Sequence, residues 1–248
     1  MSEALRPRAA VLVAMDEEAA PFLARAEHVG DEVARGGGLA VRRDIVLGGV
    51  PVALVRGGIG FANATAAAAY AFYTLDGAVP LISAGTAGGL ARGVEVGQVV
   101  VGRQYVNMNA DATAFGYTLG QVPGMPERYD GDEDLVALAV DGAPEGVSTG
   151  VIGSGEVFVT ADHALRMREA FPDVVAVDME SAAVAQFAHT HGQRFVSVRA
   201  ISDLCAPDGT EFLTHLDGAA DRSADAVVRL LERLTGSEPR QPELAAQA

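Results

Sequence analysis

Three short segments place carboxylates where apolar runs end. "AMDEEAAPF" puts Asp16, Glu17 and Glu18 after the run 9–15, and "AVDMESAAVA" puts Asp178 and Glu180 at the end of another. "FVSVRAISD" encloses a lone Arg199 and finishes on Asp203. In open α/β sheets ligands sit beyond the carboxyl ends of strands, so these are the places to look for chemistry. If 178–180 is extended, Asp178 and Glu180 share a face and Met179 points away. Two ionised carboxylates on one face suit a vicinal diol, because each oxygen accepts a hydrogen bond from an O–H. Each segment also has a plain structural explanation. Acids in a helix's first turn are stabilised by its dipole, and Arg199 in a buried strand calls for a carboxylate partner.

The elements that must carry these groups are legible as apolar, β-branched runs: 9–15, 52–57, 80–85, 97–102, 174–179 and 195–202. Most are continuous rather than alternating, as strands covered on both faces should be. Alanine-rich helical stretches lie among them, at 63–75 and 181–191, and 220–234 forms a last amphipathic helix. This pattern predicts one α/β domain over 1–235, a mostly mixed sheet flanked by helices in three layers. The tail 236–248 has little to bury and is expected to be disordered. The stretch 104–126 breaks the alternation with a single charge, Asp111, and three aromatics. It reads either as a functional or interface loop or as a meandering strand pair. "GVSTG" at 146–150 matches a hydrolase elbow but follows a turn and precedes an apolar run, so it is taken as chance. "GGIGFAN" and "AGTAGGL" are glycine-rich without the spacing of either phosphate-binding fingerprint.

The totals exclude several classes. Thirty-three acidic against 18 basic residues give a formal charge of −15, which argues against nucleic acid and against an anionic membrane. A single cysteine, Cys205, forms no internal disulfide and points to a reducing compartment. The five histidines lack zinc-type spacing, so neither a metal nor another cofactor is expected. His189 and His191 read as the solvated end of a helix. The one N-terminal apolar run is too short to span a bilayer. A cytoplasmic protein acting on a small molecule is the expectation.

In order, "AMDEE", "GGIGFANA", "SAGTAGGL", "VGQVVVG", "DATAFGYTLGQVPG", "SGEVFV", "VDMESAAVA" and "VRAISD" resemble the bacterial 5′-methylthioadenosine/S-adenosylhomocysteine nucleosidases of the nucleoside phosphorylase superfamily. The resemblance runs from about Ala9 to the final helix. It implies that Glu18 activates the attacking water and that Asp203 donates a proton toward the purine N7. Arg199 and Ser202 would support that water and that aspartate. Glu180 would hold the ribose hydroxyls with Asp178 behind it, and Met179 would pack on the sugar. Phe158 and Val159 match the purine pocket, Thr86 and Gly88 the region near water and sugar, and Ile59, Phe115 and Tyr117 the surroundings of the 5′ substituent. The family's "TAFGY" loop works across a homodimer, which would explain the uncharged 104–126 stretch.

The implied chemistry is consistent with these residue types. An acid on the leaving base and a base on water, on opposite faces of the sugar, parallel the inverting glycosidases. An aspartate acting as acid must be raised from its usual ~3.9, and the end of an apolar strand offers the burial for that. The chain departs from the family at Asp178 (usually glutamate), Thr86 (usually serine), Phe61 (usually lysine) and Met108–Asn109 (usually His-Asp). The last two bear on the 5′ pocket and the subunit contact. Three alternatives stay open: a phosphate-dependent purine nucleoside phosphorylase, a nucleosidase for an aminodeoxyfutalosine-type substrate, and a catalytically silent nucleoside-binding or interaction protein built on this fold.

Overall fold

The computed structural model describes residues 6–34, 39–206 and 208–234, so the expected tail 236–248 lies outside the described residues. In chain order the strands are β1 (Ala9–Val13), β2 (His28–Val29), β3 (Val33–Ala34), β4 (Val41–Leu47), β5 (Val50–Arg56), β6 (Leu81–Gly89), β7 (Val99–Asn107), β8 (Tyr129–Asp130), β9 (Val147–Ser154), β10 (Val174–Asp178) and β11 (Phe195–Asp203). The helices are α1 (Asp16–Arg25), α2 (Phe61–Thr74), α3 (Glu133–Val140), α4 (Ala161–Ala170), α5 (Ser181–His191) and α6 (Thr210–Leu234).

All six expected runs are strands, and they belong to one mixed sheet of order β10-β9-β7-β11-β6-β1-β5-β4-β2. The sheet curls, so that β10 also pairs antiparallel with the far half of β6, Ala176 opposite Gly89 and Val177 opposite Gly88. Both faces are covered, which is why β1 and β11 are buried along their whole length. Against one face α1, α3 and α6 bury Phe22, Leu135, Ala139, Val227, Leu230 and Leu231. Against the other, α2 and α5 bury a run of alanines with Val184 and Phe187.

Sequence reasoning missed β4. Its "VRRDIVL" interrupts the apolar pattern with Arg42, Arg43 and Asp44, and the strand lies toward the sheet's edge, where polar side chains reach water. The final helix begins at Thr210, ten positions before the amphipathic stretch, because its first turns are mostly exposed. The 104–126 stretch divides. Its first residues complete β7 as far as Asn107, and a single 3-10 turn at Thr113–Phe115 interrupts the irregular remainder. "GVSTG" leads into β9 with no helix directly after it. His189 and His191 are exposed in the last turn of α5, with the His191 ring stacked on Phe187 at 4.0 Å between centroids. No described helix is long and apolar enough to cross a membrane.

Candidate active site

The carboxyl ends of β1, β6, β10 and β11 meet at two glycines of β6. Gly88 lies opposite both Val177 of β10 and Asp203 of β11. A Cβ there would stand 3.1 Å from Cys205 Sγ, 3.2 Å from Val177 Cγ2 and 3.3 Å from Asp203 Oδ1. A side chain there would require these neighbours to give by a few tenths of an ångström, so glycine eases the close approach of the strand ends that carry Asp178 and Asp203. Gly85, three residues earlier, faces Arg199, and a Cβ on it would collide with both Glu18 Oε1 and Arg199 Nη1.

Glu18 projects from the first turn of α1 yet is buried, unlike its exposed neighbour Glu17. The Ala14 N–H donates to Oε2 at 2.9 Å, and the Thr86 N–H and hydroxyl donate to Oε1 at 2.9 and 3.3 Å. The helix-start explanation is thus incomplete: the side chain turns inward onto the end of β6.

The segment 178–180 is not extended throughout. β10 ends at Asp178, and Glu180, at φ −135° and ψ −43°, is the residue from which α5 starts. The expectation that the two carboxylates share a face by strand alternation is therefore corrected. They still face one cation. Arg199 donates from Nε to Asp178 Oδ2 at 2.7 Å, and its Nη2 lies 3.6 Å from Glu180 Oε2 and 2.9 Å from Ser83 Oγ. Asp178 is saturated: Ser154 Oγ, Ser181 Oγ and the Ser181 N–H also donate to it. Its carboxylate is taken up by protein donors, which makes it a support for Arg199 rather than a ligand to a bound molecule. Sequence reasoning left the ion pair open for Arg199, and the structure forms it.

Glu180 is less well supplied. Its Oε1 accepts from the Gly60 N–H at 3.0 Å, at the start of α2, and its second oxygen has only the distant guanidinium and the Met179 N–H at 3.3 Å. Burial pushes the Glu180 carboxyl up to about 7; Arg199 pulls it down, while Asp178, Glu18 and the Gly60 bond act with smaller effect. For Arg199, burial works against the charge, and the three carboxylates Asp178, Glu180 and Glu18 outweigh it and hold the guanidinium protonated.

Asp203 closes β11. Burial raises its carboxyl above the ordinary range; bonds from Ser202 Oγ (2.9 Å) and the Cys205 N–H (2.9 Å) oppose this, and nearby Glu211 adds to it. Ser202 Oγ also lies 3.2 Å from the Ala87 carbonyl, so its one proton has two acceptors. Cys205 itself has a left-handed backbone, φ 57°.

The remaining expected residues differ in exposure. Thr86 and Gly88 line the floor. Met179 and Val159 are half-buried, and Ile59 and Phe158 are exposed, Phe158 packing edge-on against Phe212 at 5.6 Å. Phe115 is 85% exposed on its 3-10 turn, and Tyr117 follows two residues later. Among the described residues neither makes a hydrogen bond or ring contact with the carboxylate cluster. The pocket that Glu180, Ser83 and Arg199 line together with Gly57, Gly58 and Val184 holds only about 10 Å³, room for one water at most. A groove of about 460 Å³ lined by Asp31, Arg42, Tyr70 and Tyr73 shares none of these residues.

Sequence reasoning missed Ser83, Ser154 and Ser181, whose hydroxyls hold the Arg199–Asp178 pair, and Glu156, whose Oε1 accepts from the Phe61 N–H at 2.8 Å beside Gly60. A serine in an apolar run gives no signal of its own, whereas an unexplained arginine in the same run asks for partners.

Residues 8–233 match the phosphorylase superfamily. A protein of Geobacillus kaustophilus named 5′-methylthioadenosine/S-adenosylhomocysteine nucleosidase is 37% identical over 232 residues, 90% of this chain and 96% of its own. The crystal structure of the Neisseria meningitidis nucleosidase of that name, in complex with methylthio-immucillin-A, superposes with a TM-score of 0.84 at 35% identity, covering 91% of this chain and 98% of that one. The futalosine hydrolase of Helicobacter pylori has the same TM-score at 26% identity, over 92% and 98% of the two chains. With matches of this extent, the chain belongs to the phosphorylase superfamily, within its enzyme family of 5′-methylthioadenosine/S-adenosylhomocysteine nucleosidases.

Proposed function

We propose that the protein hydrolyses the N-ribosidic bond of 5′-substituted adenosines, 5′-methylthioadenosine and S-adenosylhomocysteine among them, and releases adenine. The observation that carries this reading is the burial of three carboxyl groups, Glu18, Glu180 and Asp203, around strand ends that hold a single buried cation. Glu180 accepts hydrogen bonds from the ribose 2′ and 3′ hydroxyls with oxygens that the protein leaves undersupplied. Glu18 takes a proton from water as the water oxygen bonds to C1′. The C1′–N9 bond breaks, its electron pair passes to the purine, and Asp203 delivers a proton to N7. Burial suits Asp203 to this step, since an acid must hold its proton near the working pH. Phe158 and Val159 border the purine, and Ile59 the 5′ group.

Water rather than phosphate is the nucleophile in this reading. Phosphate seeks free guanidinium forks; here Arg199 is committed to Asp178, and Glu18 would repel an anion. The exposed Phe115 and the half-buried Tyr117 fit a homodimer in which this loop completes the neighbouring 5′ pocket. An assay of adenine release from 5′-methylthioadenosine in phosphate-free buffer tests the assignment. The wild type should turn over, and Glu18→Gln and Asp203→Asn should each lose about 10²–10⁴ in kcat. Turnover that waits for phosphate, or two fully active amides, would reverse it. A panel of methylthio, homocysteinyl and futalosine-type nucleosides, compared by kcat/KM, assigns the preferred 5′ group.

A further inference from the structure

Ser223 lies in the middle of α6, 138 residues from Gly85, and is buried with 1% exposure. Its hydroxyl oxygen accepts from the Gly85 N–H at 3.0 Å, and its proton goes to the Val198 carbonyl at 3.0 Å. Those main-chain groups belong to β6 and β11, adjacent strands that pair Val198 with Ala84 and Arg199 with Gly85. A side-chain oxygen thus stands between a donor and an acceptor of two neighbouring strands. A serine is short, and it reaches the sheet because the face of α6 around it is small: Ala219, Ala220, Ala224 and Ala226 are all buried. Gly85 is also the residue whose missing Cβ leaves space for Glu18 Oε1 and Arg199 Nη1. Its neighbour Thr86 gives Glu18 two of its three donors.

We propose that Ser223 is a positioning residue: by tying the Gly85 peptide to β11, it sets where Glu18 and Arg199 stand relative to each other. Ser223 touches no substrate. It acts through a backbone segment that both side chains crowd against. This rests on the reading of Glu18 as the group that activates water. Nothing in the Glu180–Gly60 contact or around Phe158 depends on the hydroxyl, so removing it should affect the chemical step and spare binding.

The test compares Ser223→Ala, Ser223→Thr and Leu230→Ala. Leu230 is fully buried on the same helix, away from Gly85, and reports the effect of weakened packing alone. Small misplacements of a catalytic group cost up to about 10²-fold. Ser223→Ala should lose at least about tenfold in kcat, with KM for 5′-methylthioadenosine within about threefold of wild type. Ser223→Thr, which keeps the hydroxyl, should recover most of the rate. Leu230→Ala should melt earlier yet keep its kcat below the melting range. The proposal is overturned if Ser223→Ala keeps its kcat, if its kcat falls no more than that of Leu230→Ala, or if threonine fails to restore it. Should the alanine variant not fold, Ser223→Cys carries the test, since it keeps the volume with weaker bonds, and an unaltered kcat overturns the idea. Glu18→Gln separates the two readings. Full activity there sinks both, whereas an inactive Glu18→Gln beside a fully active Ser223→Ala sinks only this one.

Discussion

Replacing Glu180 with glutamine should favour the fold increasingly as pH rises above about 5, because the variant escapes a penalty that the wild type meets on ionising. The folded state raises this carboxyl from 4.5 to about 7, burial being the main cause. A folded acid with a raised value prefers to keep its proton, so ionising it weakens the fold. The penalty is absent below 4.5, grows as pH rises toward 7, and is complete above that. Each tenfold is worth 1.36 kcal/mol, so the penalty grows by roughly 2–3 kcal/mol between pH 5 and pH 8.5. Glutamine cannot ionise and escapes it. Any cost of the amide that does not depend on pH, such as a poorer steric fit in the buried site, cancels when the two pH values are compared. At about 2–4 °C per kcal/mol for a chain of this size, the gap in Tm between Glu180→Gln and wild type should move by roughly 5–10 °C in the variant's favour from pH 5 to pH 8.5. Adenine release should meanwhile collapse, because an amide cannot accept from two hydroxyls as a carboxylate does. Paired thermal melts at both pH values decide the matter. A gap that stays constant, or moves the other way, would show that Glu180 is not held at a raised value by burial.

Asp178→Asn should be among the most damaging single changes, because it strips a buried guanidinium of its close partner. Breaking such a pair costs about 3–5 kcal/mol, which denaturant titration would register as a fall in midpoint with little change in slope; a loss below about 1 kcal/mol would contradict the assigned pairing. With Asp203 as the acid, kcat should decline as pH rises through its raised value, and Glu211→Gln, which removes a like charge, should bring that decline to lower pH. An unmoved profile would disconnect Glu211 from the acid. Sedimentation equilibrium should find a dimer, and Phe115→Ala should raise KM for 5′-methylthioadenosine with smaller effect on kcat; a monomer with full activity would remove the shared pocket.

The fold was legible because strands covered on both faces write themselves as unbroken apolar runs. It was illegible where that condition lapses, as in β4 with its charged triplet. The curl that brings β10 back to β6 leaves no trace in either strand's own composition; it places Val177 Cγ2 3.2 Å from where a Cβ on Gly88 would stand. Charged residues in the site were visible for the opposite reason. Arg199, Asp203 and Glu180 are costly where they stand, and cost is what a sequence displays. Ser83, Ser154 and Ser181 are cheap to bury once bonded, so only the folded structure reveals that they bond the charged groups.

The double pairing of β6 has a dynamic consequence. Where β10 and β11 both lock onto Gly88, the floor of the site has no free margin at which to loosen. In the proposed nucleosidase, admission of a nucleoside and departure of the base fall to the exposed apolar residues assigned to the purine and the 5′ group, Phe158 and Ile59. On that reading turnover is governed by this lip, and a tighter grip there would slow escape without touching the bond that breaks.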